Sequence, residues 1–212
     1  MRAGVLCQVR MWRSFASWRG CPGCTSMEDA YRVFNLARLS KSDVFCDLGC
    51  GHGMVCIWAA PHCRLSIGIE SLLTHARIAE MNVREEGIGN VRIIRDDFIR
   101  HPPASANVLY CTIDLPLRFY DRLLSCSEDK RLRLVNFGPP PVPVKPTATD
   151  GLFCLTQFPF ELAETTLEWC SAVAGKEGAT WRAVATKYGA IDAGALAGHK
   201  LKLKRVFNAA RI

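Results

Sequence analysis

Asp43-Val-Phe-Cys-Asp47-Leu-Gly-Cys-Gly-His-Gly53-Met-Val-Cys-Ile-Trp-Ala-Ala-Pro61, followed by Leu65-Ser-Ile-Gly-Ile-Glu70, is the stretch on which the fold is decided. The apolar run Val44 to Leu48 predicts a buried strand, broken by Gly49, Gly51 and Gly53. Met54 to Ala60 predicts a short apolar helix that stops at Pro61. Leu65 to Ile69 predicts a second strand, ending on the acid Glu70. Strand, glycine turn, helix, strand and acid form the first half of a nucleotide-binding βαβ unit.

The glycines point to close approach, because a Cβ at such a turn would collide with a ligand lying across it. Glu70 falls where a carboxylate can accept hydrogen bonds from both hydroxyls of a ribose. The spacing is Gly-x-Gly-x-Gly, unlike the Gly-x-Gly-x-x-Gly of pyrophosphate loops, and Asp47 would repel phosphates. A ligand with an ammonium and a ribose but no phosphate fits better, and S-adenosylmethionine is such a ligand. Asp47-Leu-Gly49-Cys-Gly51-His-Gly53 resembles motif I of the class I, seven-strand S-adenosylmethionine-dependent methyltransferases. That resemblance implies an α/β, Rossmann-like seven-strand sheet with helices on both faces and S-adenosylmethionine as cofactor.

Outward from this unit, Thr25 and Ser26 both stand at capping distance from acids, and Ala30, Val33, Phe34 and Ala37 make one apolar face of a helix. After Glu70, Ser71 is expected to cap a helix to about Glu86, with Leu72, Leu73, Ala76, Ala79 and Val83 inward. Val91 to Ile94 predicts the third strand and Asp96-Asp97-Phe98 a turn at its carboxyl end. By the family resemblance, Asp97 accepts from the adenine amino group and Phe98 packs on the ring. Ala106 to Ile113 predicts the fourth strand, whose carboxyl end, Tyr110 to Pro116, should face the transferred methyl. A helix over 117–126, a strand over 132–137 and a hairpin over 142–158 complete seven strands, with Pro143 and Pro146 confining the hairpin's first arm to an edge.

Methyl transfer from a sulfonium needs positioning and a dry site more than a strong base. A lysine acceptor must be neutral, which at pH 7 costs about 4.6 kcal/mol from an ordinary pKa. Burial and a neighbouring cation lower that cost. Tyr110, Thr112 and Asp114 line the expected site, with Tyr110 and Asp114 the catalytic candidates. The Asn/Asp-Pro-Pro-Tyr/Phe signature of enzymes acting on exocyclic adenine amines or glutamine is replaced by Ile113-Asp-Leu-Pro-Leu117. Cys111 lies inside a strand, where a thiolate is disfavoured.

From Met27 to Ile113 the chain is similar to the small archaeal protein lysine methyltransferases and their mitochondrial relatives, through Asp43-Val-Phe-Cys-Asp-Leu-Gly49, Gly68-Ile-Glu70 and Asp97-Phe98. The resemblance implies a protein substrate. An RNA or tRNA acceptor and a non-catalytic S-adenosylmethionine-binding module remain as alternatives.

Net charge is +7, concentrated at the ends. Residues 1–26 carry four arginines and no acid, and Lys200, Lys202, Lys204, Arg205 and Arg211 stand in an acid-free tail. Such ends suit nucleic acid or another acidic partner. The chain divides into an extension, 1–26, a cofactor-binding domain, 27–160, and a helical appendage, 161–212. The eleven cysteines, without a secretory signal pattern, suggest a reduced compartment, cytoplasmic or, if residues 1–26 are a targeting segment, mitochondrial. Cys21 and Cys24 have metal-knuckle spacing but no matching second pair, and no metal is expected.

Overall fold

The computed structural model describes residues 25–113, 115, 117–126, 131–138, 140, 144–150, 152–160 and 164. The extension before Thr25, with Cys21 and Cys24, Asp114, and the expected helices of the appendage lie outside the described residues. The elements are α1 (Met27–Ala37), β1 (Val44–Leu48), α2 (Met54–Ala59), β2 (Leu65–Glu70), α3 (Leu73–Glu85), β3 (Val91–Arg95), β4 (Val108–Cys111), α4 (Leu117–Cys126), β5 (Arg133–Phe137), β6 (Ala148–Thr149) and β7 (Phe153–Gln157).

The seven strands form one sheet in the order β3-β2-β1-β4-β5-β7-β6. β1 to β5 are parallel, β7 runs antiparallel to β5, and β6 antiparallel to β7. The order reverses at β1, between β2 and β4, which is where an open α/β sheet opens a crevice beyond its strand ends. Every residue of β1 is buried, as a central parallel strand covered on both faces requires.

Alternation along the strands sorts the core into two layers. On one face Phe45, Val108, Tyr110, Val135 and Phe153 meet Val33, Phe34 and Ala37 of α1 and Val55 and Ala59 of α2. On the other, Cys46, Leu48, Ile67, Leu109 and Leu134 meet Phe119, Tyr120 and Leu123 of α4. α3 lies beside α2, with Ala79 against Gly53, and Val83 and Ile88 close the layer over Val91. Each fully buried Leu, Val or Phe contributes roughly 1.5–3 kcal/mol.

At the amino-terminal end of the sheet a polar clasp ties four elements together. Asp43 accepts from the Ser40 N–H (2.7 Å), the Ser40 hydroxyl (2.8 Å), the Asn107 amide (2.7 Å) and the Arg133 guanidinium. Arg133 also donates to the Ala37 carbonyl (2.6 Å), one of the carbonyls that α1 leaves unpaired at its end.

Of the two capping candidates at the start of α1 the structure uses Ser26, as one of the two spacings predicts, its hydroxyl accepting from the Asp29 N–H at 3.0 Å. Several local expectations need correction. Ser71 does not cap α3; Leu72 takes that place without a side-chain bond, because Glu70 itself accepts from the Leu72 N–H. Leu72 and Leu73 are exposed rather than inward, and Ala76 and Ala79 alone are buried along the helix. Pro61 does not end the α2 segment abruptly but sits inside a 3₁₀ turn, Ala60–His62. β4 is shorter than expected at both ends, Val108–Cys111; just before it the Asn107 side chain, rather than its backbone, accepts from the Val44 N–H. The hairpin's first arm shrinks to two residues, consistent with Pro146, which has no N–H to donate.

Candidate active site

Three glycines follow β1, and all take left-handed backbone: Gly49 at φ 84°, Gly51 at 53° and Gly53 at 80°. That conformation strains any residue with a Cβ, which explains the spacing read in the sequence. The turn is anchored by the Gly49 and Cys50 N–H groups, which donate to the Ile69 carbonyl at 2.8 and 3.1 Å. A Cβ at Gly53 would lie 3.0 Å from the Ala79 Cβ, so this glycine seats α3. A Cβ at Gly51 would meet nothing within 4 Å, so this glycine faces open space.

Glu70 ends β2 beside the turn. One carboxylate oxygen accepts from the Gly51 N–H (3.0 Å) and the other from the Leu72 N–H (2.8 Å). A carboxylate has about four acceptor positions, so room remains for two hydroxyl donors. The residue thus shapes the turn as well as marking the expected ribose position.

Asp47 is the unusual group. It is only 5 % exposed, and among the described residues no hydrogen bond reaches it. Burial, and then the nearby Glu70 carboxylate, push its pKa up to about 7. A buried acid without a donor is costly unless a cation comes to meet it. The ammonium of an amino-acid ligand is such a cation.

Beyond β3, Asp96 and Asp97 divide their work. Asp96 accepts from the Asp97 N–H (2.7 Å) and sits 2.9 Å from the His101 ring. Asp97 accepts from the Ile99 N–H (2.9 Å) and pairs with Arg100 at 3.3 Å. Phe98 is buried beneath, edge-on to Phe119 and 3.9 Å from where a Gly49 Cβ would be. The structure therefore gathers Asp47, Gly49, Gly51, Gly53, Glu70 and Phe98 around one turn, with Asp97 at the adjoining strand end.

Tyr110 pairs in register with Asp47 on the α1 side of the sheet. It is 1 % exposed, and its hydroxyl lies 2.7 Å from the Thr25 hydroxyl, just before α1. Burial raises its pKa, Thr25 opposes this, and Asp47, Cys111 and Asp29 add to the rise. The hydroxyl therefore stays protonated.

Some rim residues were not read from the sequence as site residues. Leu72, 55 % exposed beside Glu70, offers an apolar wall. His52 in the turn and His75 in α3 meet edge-to-face at 5.1 Å. Only the hydrogen-bond pattern picks out Thr25. A leucine after an acid at a strand end was the available signal for Leu72, masked by a helical period that also placed it inward. No group of three or more His, Cys, Asp or Glu able to hold a metal occurs among the described residues.

The residues present fit S-adenosylmethionine: an unpartnered acid for its ammonium, an open glycine for its backbone-like methionyl part, an acid for its ribose and apolar rim for its base. Residues 8–88 match the family model described as histone methylation protein DOT1. An uncharacterized RNA methyltransferase of Chlorobaculum tepidum is 30% identical over 66 residues, which is 31% of this chain but only 14% of that protein. The solved structure of an RNA methyltransferase from Salinibacter ruber with S-adenosyl-L-homocysteine is 23% identical, at a TM-score of 0.57 over 66% of this chain and 97% of that one. A SAM-dependent O-methyltransferase from Thermotoga maritima is 16% identical, at a TM-score of 0.50 over 61% of this chain and 55% of that one. The chain has the class I, seven-strand S-adenosylmethionine-dependent methyltransferase fold.

Proposed function

We propose that the chain is an S-adenosylmethionine-dependent methyltransferase whose acceptor is a lysine amine of a basic protein. When bound, the cofactor supplies an electrophilic methyl on a sulfonium. The acceptor nitrogen must be neutral when it attacks, having lost its proton to water, and its lone pair forms the N–C bond as the S–C bond breaks. Asp47, Gly51 and Glu70 hold and orient; Tyr110 and Thr25 fix the wall beside them.

The charge at the carboxyl ends of the strands carries the lysine reading. Asp47 and Glu70 are buried there, and Glu28 and Asp29 stand in the first turn of α1. Arg32 is held between Asp29 (3.4 Å) and Asp150 (2.9 Å). Among the described residues, Asp47, Glu70, Glu28, Asp29, Asp96, Asp97 and Asp150 stand at this end with Arg32, Arg95 and Arg100, of which Arg32 and Arg100 are ion-paired, an acidic excess that favours a cation over a polyanion. The described family of the matching model, histone methylation, is in keeping with that acceptor.

A second reading, methylation of RNA, is favoured by what the Chlorobaculum and Salinibacter proteins are called and by the basic ends of the chain. Incubation with methyl-labelled cofactor and a cell lysate separates the two. The lysine reading expects label that survives RNase, disappears with protease, tolerates moderate salt and rises from pH 7 toward 9 as free amine accumulates. Label removed by RNase and lost steeply with salt would replace it with the RNA reading.

A further inference from the structure

We propose that Phe137 is the surface against which the acceptor side chain is aligned, and hence a residue that selects the acceptor; this rests on the lysine reading above. Along β5 the side chains alternate, and Val135 pairs in register with Tyr110. Phe137 is the next residue on that same face, one step nearer the carboxyl edge of the sheet. It is 51 % exposed, whereas Phe45, Phe119 and Phe153 are buried.

The ring is nonetheless fixed. It meets Phe153 edge-on, with centroids 5.6 Å apart and planes at 70°. Immediately after it, Gly138 takes φ 84° and donates its N–H to the Leu152 carbonyl at 2.9 Å, turning the chain away. A half-exposed aromatic ring packed against a buried neighbour is a preformed platform, with little rotamer freedom left to lose on binding.

Position decides what lands on it. Glu70 ends β2 and Asp97 follows β3, so the cofactor-binding acids lie on the β2–β3 side of the turn. The acceptor is left the β4–β5 side, where Tyr110 and Phe137 stand. A lysine combines a four-carbon stem with a cation, and both are attracted to an aromatic face. The Glu28 and Asp29 carboxylates at the neighbouring end of α1 favour the same charge.

The test compares Phe137→Ala, Phe137→Leu and Phe137→Tyr in the full chain. S-Adenosylhomocysteine affinity is read by calorimetry. Binding of a fluorescein-labelled peptide with one lysine between arginines is read by anisotropy, with S-adenosylhomocysteine saturating. Label transfer into lysate protein is followed against lysate concentration. Ala and Leu should each weaken the peptide and raise the half-saturating protein concentration by about three- to tenfold, leaving product affinity unchanged. Tyr should restore both. Leucine keeps the apolar contact with Phe153, so it decides the matter should the alanine variant fold poorly. Wild-type behaviour of Leu, or no peptide binding to the parent chain while protein is labelled, overturns the inference alone. Label entering RNA instead of protein overturns the lysine reading and the inference together.

Discussion

Asp43 and Asp47 flank the same few residues of β1, point to the same side of the sheet and are almost equally buried, at 3 % and 5 % exposure. Their surroundings are opposite. Burial alone would raise the pKa of Asp43, but hydrogen bonds from Ser40 and Asn107 and the charge of Arg133 outweigh it and hold the pKa low. At Asp47 burial goes unanswered, Glu70 adds to it, and the pKa climbs to about 7. The amino-terminal end of the sheet is thus a finished structural joint, and the carboxyl-terminal end holds a buried acid without such partners among the described residues.

Breaking the joint should cost most. Asp43→Ala strands the Arg133 guanidinium and should lower unfolding free energy by about 3–5 kcal/mol in a denaturant titration. Because its folded pKa is depressed, Asp43's contribution should be present above about pH 4 and fade as pH falls below that, through the folded value. Asp47→Asn should do the reverse. The raised folded pKa means that Asp47 costs stability increasingly as pH rises from about 4 to about 7, so the variant without cofactor should be more stable at pH 8, by on the order of 2–4 kcal/mol. The same variant should bind S-adenosylhomocysteine far more weakly; retained affinity with lowered stability would make the two aspartates alike. Glu70→Ala sharpens the contrast, since this acid at the carboxyl end both serves the fold and faces the ligand: its loss should weaken product binding by about 1.5–3 kcal/mol in calorimetry and also loosen the turn that Gly51 and Leu72 share with it.

Much of this was legible in the chain, and for physical reasons. Glycines at 49, 51 and 53 can be read because positive φ leaves few other residues, and each does adopt it. The strands themselves follow from the apolar runs, and the seven-strand sheet from the resemblance they carry. What local pattern could not show were pairings across long sequence distance. Nothing near Asp43 announces that Arg133 will reach it, and nothing near Tyr110 announces Thr25. The α3 face was misread because Leu72 and Leu73 fit an inward period, while the actual packing needs small residues there, Ala76 and Ala79, to let the helix approach Gly53. The same hydrophobicity that signals core in a pattern signals a ligand wall at a strand end.

The central claim, that Asp47 awaits the ligand's ammonium, is tested most directly by S-adenosylhomocysteine calorimetry from pH 5.5 to 8 in two buffers of different ionisation enthalpy. The ammonium needs an ionised partner, so affinity should be flat above pH 7 and fall toward about tenfold per unit below it, with a proton released on binding at the acid end. Asp47→Asn should bind weakly and lose this dependence, which separates it from titration of His52. Affinity unchanged from pH 5.5 to 8 in the parent chain, with no proton released, would contradict the account.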